Sequence, residues 1–144
     1  NCGVSFVLLP YLSKSNIYGA TKWFSKDNVM LAISNRGGKA DLFWFTLFHE
    51  ISHVLMEHRR ETLINMKDVL DDEADIKASE ILIPKKQWDK FISNRTYTKE
   101  SISIFASELG IHPCIVLGRL HKEKKVPYDR FNKDFNLQYQ ITVK

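Results

Sequence analysis

The 144-residue sequence predicts an α+β fold: a small antiparallel sheet, then a mostly helical core that ends in a helical pair. Three observations carry that expectation. Val4 to Leu9, Ile17 to Phe24 and Val29 to Ile33 are rich in β-branched and aromatic residues, the types that suit a pleated, half-buried surface. After Asp41 the chain is apolar almost all round to Met56, and its few polar residues recur at steps of three and four, the period of a helix. Gly37-Gly38, Pro84, Gly110 and Pro113 then divide the remainder into helix-sized pieces.

Within the sheet, Ser13-Lys14-Ser15-Asn16 and Ser25-Lys26-Asp27-Asn28 read as turns. An exposed edge strand beside a reactive site could hold an extended peptide through backbone hydrogen bonds. The run Val29 to Ile33, nearest in sequence to the helix that follows, is the candidate for that edge. A purely structural sheet is the alternative.

Asp41 is placed to cap a helix over Leu42 to Met56, apolar almost all round and therefore expected to be buried. Thr46, His49, Glu50, His53 and Glu57 form one polar stripe down it. His49-Glu50-Ile51-Ser52-His53 reads His-Glu-x-x-His, the pattern of a zinc peptidase site. On a helix, residues four apart lie about 40° apart around the axis and about 6 Å along it. Two imidazoles can then converge on one metal ion while Glu50 reaches a water bound to it. A buried stripe without partners is costly, and a metal with its water would satisfy it. The other reading is a pair of core histidines hydrogen-bonded to carbonyls.

A zinc hydrolase needs a third protein ligand and leaves a position for water. The candidates lie in Asp71-Asp72-Glu73-Ala74-Asp75. In a helix from Asp71 to Ile83, the buried face is Ala74, Ala78, Ile81 and Leu82. Asp71 falls inside that arc and Asp75 at its edge, so Asp71 is the expected ligand and Asp75 an acceptor for a ligand imidazole. Asp72 and Glu73 point elsewhere and would complement the helix N-terminus.

Beyond Pro84, Lys85 to Ile92 predicts a short helix. Thr98 caps a helix to Leu109 that Gly110 closes, and Pro113 opens another that ends near Lys122. The pair has the outline of a helix-turn-helix. Its second member opens Pro113-Cys114-Ile115-Val116-Leu117-Gly118, which offers few side chains to base edges, so packing support is the expected role. His112 and His121 read as structural or surface residues and Arg119 as a surface or ion-pair residue. The tail from Pro127 holds a candidate strand at Leu137 to Val143.

The length suits one domain over residues 1–144, with the sheet at 1–35, metal-site helices at 36–95, helical support at 96–125 and a tail at 126–144. Hydrophobic content of 44% and charged content of 26% are ordinary for a globular chain. The net charge of +4 reads as a solvated surface rather than a nucleic-acid site. Cys2 and Cys114 are isolated, which points to reduced thiols and a cytoplasmic setting. No apolar run reaches membrane-spanning length, and no signal peptide is visible. The chain opens at Asn1 in a strand-like run, so an upstream segment, a signal or a DNA-binding domain, is expected to be missing.

Together these residues resemble the ImmA/IrrE-type metallopeptidase domain, in the version fused behind an Xre-type helix-turn-helix in HigA-like antitoxin regulators. The matching stretches are Gly19 to Trp23, Phe43 to His53, Glu73-Ala74-Asp75 with Ala78, Leu82-Ile83-Pro84, Phe105-Ala106, Leu109 to Pro113, Ile115-Val116 and Gly118 to Leu120. The resemblance covers roughly residues 17 to 121. It implies a zincin-like core of the gluzincin kind that binds Zn2+ through His49 and His53, with Glu50 as general base. The family's third ligand falls at Asp71, where glutamate is usual, and Lys77 stands where Phe is usual. Aspartate is one methylene shorter, so Glu73 is the alternative ligand and catalytic competence becomes a structural question.

The expected function is a zinc-dependent endopeptidase acting inside the cell, with regulatory proteolysis of a repressor or antitoxin-like protein implied by the resemblance. The alternative is a non-catalytic, partner-binding C-terminal module of a DNA-binding antitoxin or transcriptional regulator. In that case DNA would be met only through the upstream domain.

Overall fold

A computed structural model describes residues 3–10, 17–58, 63–64 and 69–140. The expected turn at 13–16, Cys2 and the last residues of the candidate strand at 137–143 lie outside them. The described elements are β1 (Val4–Leu9), β2 (Gly19–Trp23), β3 (Val29–Ser34), α1 (Ala40–Leu55), β4 (Leu63–Ile64), α2 (Val69–Leu82), α3 (Lys85–Ser93), α4 (Lys99–Leu109) and α5 (Pro113–Lys122). The α+β arrangement is as expected, a small sheet followed by helices.

The sheet is mixed rather than wholly antiparallel, in the order β1-β3-β2-β4. β2 is antiparallel to β3 and to β4, whereas β1 runs parallel to β3 with Val4 opposite Val29 and Leu9 opposite Ser34. The reason lies in β3. Val29, Leu31, Ala32 and Ile33 are all buried, a near-continuous apolar run that belongs in the middle of a sheet. β3 is thus bonded on both sides and cannot accept a further strand, which corrects the choice of Val29 to Ile33 as a peptide-binding edge. The outer strands among the described residues are β1 and β4.

α1 lies on β2 and β3, and α2 packs along α1. The expectation of a fully buried apolar rod fails here. The buried residues of α1 are Ala40, Ser52 and three of the polar stripe, Thr46, Glu50 and His53, while its aromatic residues are half-buried. Phe43, Trp44 and Phe48 pack on one another and on the tail: Phe43 meets Tyr139 edge-on at 5.6 Å, and Trp44 Nε1 donates to Tyr139 Oη at 3.0 Å. Helix and sheet therefore enclose polar side chains, and a hydrophobic cluster of the described residues lies elsewhere. It joins α3, α4 and α5 through Trp88, Phe91, Ile102, Phe105, Val116 and Leu120, with the Phe91 and Phe105 rings stacked at 4.2 Å.

The helix ends follow local chemistry, with one exception. Thr98 caps α4 in a capping box with Ser101, and Gly110 closes it in the left-handed region at φ 68. At α5, His112 is the N-cap and its Nδ1 accepts from the Cys114 N–H. Asp41, the expected cap of α1, lies instead in its first turn, and Lys39 is the N-cap without a side-chain bond. The tail explains this. Ala40 N–H donates to Leu137 O at 2.9 Å and Tyr139 N–H to Gly38 O at 2.8 Å, so backbone from the far end of the chain serves the helix start. Asp41 still complements the positive end of the helix dipole. In α2, Ala74 and Ala78 are fully buried as expected, but Ile81 is exposed. Among the described residues no single helix is long and apolar enough to cross a membrane; α4 and α5 pass such a test only as a pair bent by 114°. Both contribute to the hydrophobic cluster, the packing role expected of them.

Candidate metal centre

α1 presents His49 and His53 one turn apart, and the first turn of α2 brings Asp71 to them. His49 Nε2 and His53 Nε2 are 3.0 Å apart, and Asp71 Oδ1 lies 3.7 Å from the first and 3.4 Å from the second. A tetrahedral centre with bonds of about 2.0–2.1 Å spaces its ligands about 3.3–3.4 Å apart. The three atoms therefore already form one face of such a tetrahedron, in the donor set N, N, O that suits a zinc site with an open position. The shorter aspartate is no obstacle, because α2 packs close enough to α1 for its oxygen to arrive. Glu73, the alternative, does not join the cluster. It is half-exposed and pairs with His58 Nε2 at 3.5 Å.

The outer nitrogens of both rings are held by side chains. His49 Nδ1–H donates to Asp75 Oδ1 at 2.8 Å, the role expected of Asp75. Asp75 is held in turn by Lys122 Nζ, 2.8 Å from Oδ2. His53 Nδ1 faces His58 Nδ1 at 2.9 Å, one nitrogen donating and the other accepting. Such partners fix ring orientation and leave each Nε2 facing the cluster.

Glu50 is 2% exposed. Thr21, buried on β2, donates its hydroxyl to Glu50 Oε2 at 2.7 Å. Next to it, Gly19 leaves room for the carboxylate: a Cβ there would stand 2.6 Å from Glu50 Oε1 and 2.8 Å from Thr46 Cγ2. Burial raises the Glu50 carboxyl to about 7, against the hydrogen bond from Thr21 and the charge of His49. For His49, burial opposes the charged form, but the bond to Asp75 and the charges of Glu50, Asp75 and Asp71 outweigh it and hold the ring above the usual imidazole range. Burial also opposes ionisation of Asp75, yet its bonds from His49 and Lys122 hold it below the usual carboxylate range.

Four of the residues around this cluster are not visible as such in the sequence pattern. Thr21 and Gly19 sit in an apolar run 29 and 31 positions before Glu50, and Lys122 is 47 positions after Asp75. His58 lies beyond the helical period, because α1 ends at Leu55 and the chain turns through Glu57 at φ 52. That turn takes Glu57 out of the expected stripe and puts His58 against His53. His121 is a structural residue, as expected, with Nε2 3.2 Å from Arg130 O. Arg119 does more than pair with Glu123: its Nη1 donates to Ser79 O and Ile83 O and closes the end of α2.

A family model described as the IrrE N-terminal-like domain, Peptidase_M78, matches residues 7–128. No curated protein matches the chain.

Proposed function

The chain belongs to the family of IrrE N-terminal-like peptidase domains, and from that premise we propose that it is a zinc-dependent endopeptidase of the cell interior. Its proposed substrate is a repressor or antitoxin-like regulatory protein, in keeping with the resemblance to HigA-like regulators. The observation that carries the reading is the triangle of His49 Nε2, His53 Nε2 and Asp71 Oδ1, spaced as ligands of one tetrahedral ion.

Zinc held there would polarise a scissile carbonyl and make its bound water acidic near neutrality. The chain's own residues do the rest. Asp75 and His58 keep the two imidazoles turned inward. The Glu50 carboxylate accepts a proton from the attacking water and returns it to the leaving amine. Thr21 restrains one Glu50 oxygen, so the carboxylate keeps its orientation through the cycle. β4 is the outer strand on the side of Thr21, which it pairs through Leu63. An extended peptide could add to β4 by backbone hydrogen bonds, without sequence preference from the main chain.

The alternative, a partner-binding module that hydrolyses nothing, drew its support from the short side chain of Asp71. That support weakens with Asp71 Oδ1 within 3.7 Å of both nitrogens. To test the peptidase reading, fluorescein-labelled casein is incubated with the zinc-loaded chain and with Glu50→Gln. Cleavage that is stopped by chelator and falls at least about 100-fold in the variant is the expected result. Equal cleavage by a zinc-loaded Glu50→Gln chain would rule the mechanism out.

A further inference from the structure

We propose that Lys122 is a positioning residue of the metal centre: its ammonium, delivered by the last turn of α5, locks the carboxylate that orients His49. The inference rests on the metal-site reading above and adds a role for the C-terminal helical pair.

Asp75 is a bridge with both oxygens occupied. Oδ1 accepts from His49 Nδ1–H at 2.8 Å and Oδ2 accepts from Lys122 Nζ at 2.8 Å. The Asp75 side chain is 38% exposed. With one oxygen free, it could turn into solvent at little cost and leave His49 without its outer partner. Lys122 removes that freedom. The lysine is itself held from a second direction, with its ammonium 3.9 Å above the centre of the Phe45 ring. Phe45 is one helical turn before His49 and packs on its ring at 6.4 Å. Lys122, Asp75, His49 and Phe45 thus close a ring of contacts across α5, α2 and α1, with the metal-facing nitrogen of His49 on its inner side.

The plainer interpretation is a solvent-exposed ion pair. With Lys122 49% exposed, such a pair contributes little to stability, and it predicts no weakening of metal binding when the charge is removed. The two interpretations differ in sign as well as size. By charge alone, an ammonium near a dication repels it, so neutralising Lys122 would tighten metal binding. If the lysine orients His49, neutralising it weakens binding, and losses of outer partners of ligand histidines run from roughly 10-fold to 100-fold.

The test uses the full chain stripped of metal, titrated with Zn2+ against a competing chelator and with Co2+ followed by its visible d–d bands. Lys122→Met keeps the apolar stem over Phe45 and removes the charge. Expected are a zinc affinity weaker by roughly 10-fold and altered cobalt bands, with the melting temperature of the metal-free chain unchanged and Lys122→Arg restoring both signals. Wild-type affinity or tighter binding in Lys122→Met overturns the proposal, as does a loss that Lys122→Arg fails to restore. Should Lys122→Met not fold, Lys122→Gln is read by the same criteria. If the wild-type chain binds neither ion, the metal-site reading falls and takes this proposal with it. Wild-type binding with an unaffected Lys122→Met removes this proposal alone.

Discussion

At the scale of single residues, the site depends on a glycine and a carboxyl pressed against each other. Gly19 has no side chain where a Cβ would collide with Glu50 and Thr46 at 2.6–2.8 Å. Gly19→Ala therefore displaces Glu50 or parts β2 from α1. The expected cost is about 1–3 kcal/mol in denaturant unfolding, with a larger loss of cleavage than the stability change explains. Glu50 also gives the metal-free protein a pH signature. Its carboxyl titrates near 7 in the folded chain against an ordinary value of 4.5, so the folded state holds the extra proton between those values. Stability then falls as pH rises through that window. His49 acts in the same direction: its raised value contributes stability below the ordinary 6.5 that is lost as pH rises through the folded value. Unfolding curves of chelator-treated protein should lose about 1–3 kcal/mol between pH 5 and 8, and Glu50→Gln should flatten that slope. A slope that rises with pH, or one unchanged in the variant, would contradict the account.

At the scale of elements, α1 shows what the sequence made legible and what it did not. His49, Glu50 and His53 were readable because a helix fixes their mutual geometry locally, and Asp71 and Asp75 because their helix has an alanine face to set the phase. The contacts that Gly19, Thr21 and Lys122 make with the site are not legible in the sequence, since each arises from tertiary packing across 29 to 47 positions. The order of the sheet was hidden for a related reason. Val4 to Leu9 and Val29 to Ser34 have the same apolar character, and only the placement of α1 decides which is central. Asp41 has the chemistry of a cap for α1, but the partner of the Ala40 N–H is a carbonyl at Leu137, far along the chain. That strap makes its own prediction. Removing residues 137–144 leaves the start of α1 without its backbone partner and exposes Phe43 and Trp44. The melting temperature should drop on the order of 5 °C, and an unchanged value would mean that the tail adds nothing to α1.

At the scale of the whole molecule, the structure has two centres of cohesion. The α3–α5 cluster is hydrophobic, whereas α1, α2 and the sheet enclose the polar centre of Thr21, Glu50, His49, His53 and Asp71. A metal ion would tie α1 to α2 through His49, His53 and Asp71, and a ligand present at 100 times its Kd stabilises the folded state by about 2.7 kcal/mol. Zinc should therefore raise the melting temperature of the wild-type chain by several degrees and leave that of Asp71→Ala unmoved. The central claim is that His49, His53 and Asp71 hold one divalent ion for which Glu50 is not a ligand. Isothermal titration of Zn2+ into chelator-stripped protein tests it most directly. The account predicts one equivalent bound by the wild type and by Glu50→Gln, and none at the site in Asp71→Ala. No binding by the wild type, or full binding retained by Asp71→Ala, would contradict it.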